Sequence, residues 1–199
     1  MTKSIASIGF RTKTAKAIAV ALTYRSSPEF VQRWNLELYD RDVPETGQPH
    51  HEVMELPWPK AQLAVRRYEE IIENVTTERL RTLLEELRSR AVDVHSIGVV
   101  GSPDRRLERI GNHHIRAHAA EGILFRRAVE IAATRCNLSC RQFSDRGFEE
   151  LAMQELQCTS REVKTVLGAI GRSAGRPWRA DERSAATAAW IVLGQVTAV

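Results

Sequence analysis

The sequence begins without negative charge: its first acidic residue is Glu29, and Lys3, Arg11, Lys13, Lys16 and Arg25 all precede it. Cysteine is also scarce. Cys136, Cys140 and Cys158 form an odd set without the paired spacing of a zinc site, which argues against a disulfide framework and for reduced thiols in or near the core. There is no run of eighteen apolar residues, and Met1 to Phe10 lacks both the apolar stretch and the cleavage signal of a secretory peptide. A soluble cytoplasmic protein with no membrane partner is expected. The Walker and Rossmann glycine loops and the nucleophile elbow are missing, which sets those enzyme classes aside. Cys136 and Cys140 have no activating base nearby in sequence, so a cysteine nucleophile is not expected.

With 199 residues, 43% of them apolar, the chain can bury one substantial core, and residues 1–199 read as a single domain. The net charge of +4 suits a polyanionic partner, but many proteins carry as much. Five of the 29 basic residues are lysine and the rest arginine, whose fork suits phosphate; a compositional bias explains this equally well.

Apolar runs at residues 4–10 and 16–24 predict adjacent strands with a tight connection, and Phe30, Gln32, Trp34, Leu36 and Leu38 predict one side of a third strand. Residues 39–58, rich in proline and carrying His50 and His51, read as loop. Helical spacing runs from Pro59 to about Arg90, with Thr76 and Thr77 as a candidate break. A buried strand fits Val92 to Gly101, and a polar loop follows from Pro103 to Asn112. Next come a helix at His113 to Arg135, a strand at Leu138 to Phe143, a helix capped by Ser144 or Asp145 through Glu155, a helix from Thr159 or Ser160 to about Ile170, and a last helix from Ala180 to Val192. The order implies an α/β fold with a mixed sheet flanked by helices.

That order resembles the ribonuclease H-like superfamily, and three segments resemble RuvC-type resolvases within it. They are His118-Ala119-Ala120-Glu121-Gly122, then Val163-Lys164-Thr165-Val166-Leu167-Gly168 with Gly171-Arg172, then Arg179-Ala180-Asp181-Glu182-Arg183-Ser184-Ala185-Ala186. The resemblance implies a five-stranded sheet with three antiparallel strands followed by parallel crossovers. It also implies phosphodiester cleavage by two divalent metals, Mg2+ or Mn2+, held between clustered carboxylates. The acid expected in the first strand, near Phe10 to Thr12, is matched by Arg11. The acid expected near Val99 or Val100 is absent, and none follows until Asp104. In the last helix Asp181 matches, while Ser184 stands where a second aspartate belongs.

Two readings follow from this pattern. In the first, the chain is a nuclease with Asp181 and Glu121 as metal ligands and Asp104 or Asp145 completing the catalytic set. In the second it is a catalytically silent module that binds nucleic acid or a protein. A small-phosphate binder of related fold has no supporting motif. His114, His118 and Glu121 fall at i, i+4 and i+7, a spacing that suits either ligands for one metal, His118 among them, or a polar helix face. Arg11, Lys13 and Lys16 suit either a phosphate-binding turn or a solvated hairpin tip. Arg176, Trp178 and Arg179 suit either base stacking with phosphate contacts or a hydrophobic staple before a helix. Self-association is left open.

Overall fold

In the computed structural model, which describes residues 3–197, the chain builds one five-stranded mixed sheet with helices on both faces. The first hairpin joins β1 (Ser4–Lys13) to β2 (Lys16–Tyr24), and β3 (Pro28–Glu37) completes an antiparallel meander. The chain then passes through a short 3-10 turn (Pro44–Gly47), α1 (Pro49–Glu52) and the long α2 (Trp58–Ser89) to β4 (Val92–Gly101). A second 3-10 turn (Leu107–Arg109) leads into α3 (His113–Arg135), followed by β5 (Ser139–Ser144), α4 (Phe148–Leu156), α5 (Ser160–Ala174) and α6 (Ala180–Thr197). The strand order is β3-β2-β1-β4-β5, with β4 parallel to both β1 and β5.

Alternation along the central strands sends side chains to two cores. Ile8, Phe10, Ile97 and Val99 pack against α2 and α3, through residues such as Ile72, Leu87 and Phe125. On the opposite face Val20 and Leu22 pack against Ala185, Ala189 and Leu193 of α6. Each large apolar side chain buried this way contributes about 1.5–3 kcal/mol of transfer free energy. The α6 layer lies unusually close to the strands. A Cβ on Gly9 would fall 1.8 Å from the Ala185 carbonyl oxygen, and one on Gly98 would fall 2.7 Å from that of Ala188. Two strand glycines thus set the height at which α6, and with it Asp181, rests on the sheet.

The structure departs from the sequence expectations at several elements, beginning with residues 39–58, read as loop, which hold the 3-10 turn and α1. Thr76 and Thr77 do not interrupt α2: both are buried, and Thr77 Oγ1 donates to the Glu73 carbonyl one turn back. A few tenths of a kcal/mol of helix propensity per residue is outweighed by packing. In β3 the pairing shifts register, so that Leu22 faces Phe30 while Ala21 faces Gln32. This bulge reverses the alternation, and Phe30 packs on the α6 side while Trp34 and Leu36 pack on the α2 side. Finally, α4 starts after Gly147, whose φ of 73° is left-handed, and neither Ser144 nor Asp145 caps it. No helix among the described residues is long and apolar enough to cross a membrane.

Candidate functional site

Arg11 lies near the carboxyl end of β1, paired with Ile18 on β2 and Val100 on β4. It shares the α6 side of the strand with Gly9. There Nη2 donates to Asp145 Oδ2 at 3.2 Å, and Nε lies 3.7 Å from Asp181 Oδ1. Lys13, next along the same face, brings Nζ to 2.6 Å from Asp181 Oδ2. Asp145 is held by the backbone just beyond β5, where its N–H donates to the Gly101 carbonyl at 3.0 Å. Asp181 sits in the first turn of α6, where the helix dipole favours a carboxylate. Within this cluster two cations meet two carboxylates, so their formal charges cancel.

The other two predicted acids lie elsewhere. Asp104, on the loop after β4, accepts from Arg126 Nη2 at 2.5 Å. Arg126 is itself buried and also donates to Glu130 Oε1 at 3.0 Å and to Gln142. Glu121 projects from α3 into the protein, is fully buried, and contacts His51. Asp104, Glu121, Asp145 and Asp181 therefore do not form a single cluster. A carboxylate-held Mg2+ or Mn2+ does not fit the residues present: a guanidinium lies between Asp145 and Asp181, and Val100 supplies no further acid.

Among the described residues, the group of three or more metal-ligating side chains in mutual reach is His51, His114 and His118, with one ligand atom from each within 4.8 Å of the others. His114 and His118 are one turn apart on α3, and their Nε2 atoms are 3.2 Å apart. His51 arrives from α1, which is anchored by buried Pro49 and His50. The His50 ring stacks on Trp58 with centroids 5.9 Å apart. Burial, with a smaller contribution from neighbouring His51, lowers the His50 pKa to about 4, so this ring is neutral at physiological pH. Glu121 Oε1 lies 2.7 Å from His51 Nδ1 and also accepts from the His51 backbone N–H at 3.3 Å. Burial raises the Glu121 pKa despite the opposing pull of His51. Sequence spacing pointed to His114 and His118. The third histidine sat in a stretch read as loop, where only the His50-His51 pair marked it.

The predicted phosphate contacts divide in the same way. Arg11 and Lys13 are engaged by carboxylates, whereas Lys16 is exposed and has no ion pair among the described residues. These three line a cleft of about 1170 Å³ with Arg41 and Arg79, five cations against the carboxylates of Glu37, Glu86 and Asp181. A second groove of about 910 Å³ is lined by Arg172, Arg176 and Arg179 without an acidic residue. Trp178 is occupied structurally: a Cβ on Gly171 would fall 2.4 Å from the indole, and the ring packs against the α6-side core. Arg33 of β3 donates to the carbonyls of Arg176 and Pro177, tying this loop to the sheet edge.

Strand order, mixed pairing and two helical layers define a ribonuclease H-like fold of the RuvC type. The chain is similar to Thermus thermophilus RuvC, solved in complex with a Holliday junction substrate. The TM-score is 0.54 at 11% sequence identity, over 98% of this chain and 97% of that one. A second Thermus thermophilus RuvC structure gives a TM-score of 0.54 at 11% identity, over 97% and 96% of the two chains. No protein-family model and no curated protein matches the sequence.

Proposed function

We propose that this chain is a nucleic-acid-binding module of RuvC-like fold that does not hydrolyse phosphodiesters at the carboxyl end of β1. The observation that carries this reading is the Arg11 guanidinium, which pairs with Asp145 and Asp181 where a hydrolytic site would need a metal. A cation fixed between two carboxylates removes the ligands and repels a second positive charge. No step through Mg2+ or Mn2+ is therefore derived.

Binding falls to cations that have no ion pair among the described residues: Lys16 and Arg79 in the larger cleft, and Arg172, Arg176 and Arg179 in the groove before α6. Arginine forks and a lysine point charge suit phosphate oxygens, and such contacts give affinity without base sequence. The likeness to a resolvase solved on a branched DNA makes a four-way junction the first ligand to try.

The test is fluorescence anisotropy with labelled four-way junction, duplex and single-stranded DNA across a salt series, with cleavage followed in Mg2+ and in Mn2+. With about four phosphate contacts, affinity should fall about a hundredfold between about 50 and 200 mM salt. Arg176→Glu with Arg179→Glu should weaken all three ligands. Absent or salt-independent binding defeats the nucleic-acid reading. Cleavage that disappears in Asp181→Asn defeats the silent one.

A further inference from the structure

We propose that His51, His114 and His118 form a binding site for a divalent transition metal of the zinc type, with Glu121 holding His51 in its ligand tautomer. The site is separate from the Arg11 cluster and does not depend on nucleic-acid binding.

Three observations converge on this. The first is spacing. Two nitrogens bound to one tetrahedral metal at about 2.0–2.1 Å lie roughly 3.3 Å apart, and His114 Nε2 and His118 Nε2 are separated by 3.2 Å. The three rings meet edge-on, with centroid separations of 4.4, 4.5 and 5.0 Å and interplanar angles of 71°, 82° and 75°. No pair of these rings is stacked face to face, and one nitrogen of each lies within 4.8 Å of one nitrogen on both others.

The second observation is the state of His51. Its Nδ1 lies 2.7 Å from Glu121 Oε1, which also accepts from the His51 backbone N–H; in the tautomer that donates from Nδ1 to this oxygen, Nε2 keeps a lone pair. That Nε2 is buried and has no hydrogen-bond partner. A single hydrogen bond between His114 and His118 would satisfy one nitrogen on each ring, but it offers nothing to a third inward-facing acceptor. A cation satisfies all three.

The third is Glu121 itself. It is fully buried, and its Oε2 has no hydrogen-bond partner. An isolated carboxylate in such surroundings is costly. Charge transmitted through a metal-bound imidazole offsets that cost, and a carboxylate behind a ligating histidine fixes both its tautomer and its orientation. Because His114 and His118 lie on the exposed side of α3, the fourth coordination position faces solvent and takes a water or an anionic oxygen. Three imidazoles select zinc, cobalt or nickel over magnesium, which prefers oxygen ligands.

The experiment is titration of the chelator-treated full-length chain with Co2+, reading the visible ligand-field absorption of four-coordinate cobalt. One Co2+ per chain is expected, displaced by Zn2+ and unaffected by excess Mg2+. His114→Ala and His118→Ala, both at exposed positions, should each abolish the absorption, while His95→Ala, outside the cluster, should leave it unchanged. Glu121→Gln should keep the band but weaken Co2+ binding by about ten- to a hundredfold, a shift that a purely structural glutamate would not produce. No ligand-field absorption in the wild type, or the same titration in wild type and His118→Ala, overturns the site.

Discussion

At the carboxyl end of β1, the charges of Arg11 and Lys13 are met by Asp145 and Asp181 within the same patch of protein. Between α1 and α3, by contrast, three imidazoles and the buried Glu121 carboxyl gather, and no cationic side chain belongs to the group. The first region satisfies its carboxylates with side-chain cations. The second provides ligands and leaves the electrophile to come from solution. Chemistry at a given place in a fold thus depends on whether its charges are satisfied internally, and the same architecture holds both cases.

The strongest way to break the first region is through the sheet. Gly9→Val would drive side-chain carbons into the Ala185 backbone and lift α6 together with Asp181. A loss of about 3 kcal/mol or more is expected from the urea midpoint. The second region should respond to metal instead. Zn2+ at about a hundred times its Kd should stabilise the wild type by about 2.7 kcal/mol. Differential scanning fluorimetry would read this as a rise of about 5–10 °C that a chelator reverses.

Arg11→Asp exchanges the cation for a third carboxylate and sets the regions against each other. It should cost about 1–2 kcal/mol without metal, since the guanidinium side chain is 18% exposed and its partners are more so. Millimolar Mg2+, which three imidazoles disfavour, should then raise the melting temperature of the variant and leave that of the wild type unchanged. A wild type stabilised equally by Mg2+ would show that Arg11 does not block the carboxylates.

Cys140 supplies an alkaline signal outside both regions. Burial, with a smaller push from Glu130, raises its thiol from an ordinary value near 9 to about 12. The unfolded chain ionises first, so stability is complete below about pH 9 and drains away as pH rises towards 12. About 1 kcal/mol should be lost by about pH 10, and Cys140→Ser should remove that component from pH-dependent urea unfolding. The smallest effect belongs to Lys13→Ala. This pair is half exposed on the lysine side and worth less than about 1 kcal/mol, most of which added salt should screen.

Much of the architecture was legible because hydrophobic period and turn residues agree along the chain. The second half of β4, Ile97 to Val100, reads as an apolar run because helices cover both its faces, and the Thr159 to Glu162 capping box marks the start of α5. Legibility ended where a local rule was overridden from a distance. The bulge opposite Leu22 inverted the apparent face of β3, and burial kept Thr76 and Thr77 helical. At the sites, the lack of acids at Arg11 and Val100 was readable, as was the pairing of His114 with His118. The partners that define each site were not. Asp104 meets Arg126, Asp145 meets Arg11 across most of the chain, and His51 meets Glu121 with α2 and β4 intervening. Such pairings arise only when the sheet assembles.

The four-residue α1 carries a further consequence. A helix of one turn does not persist alone in water, and this one is held by the His50 ring on Trp58 and by His51 on Glu121. A metal shared with His114 and His118 would act as a cross-link, closing the long stretch of chain between α1 and α3 into a loop. Loading would then be visible to a protease: residues 39–57 should be cut more slowly in the zinc-bound chain than in the zinc-free one.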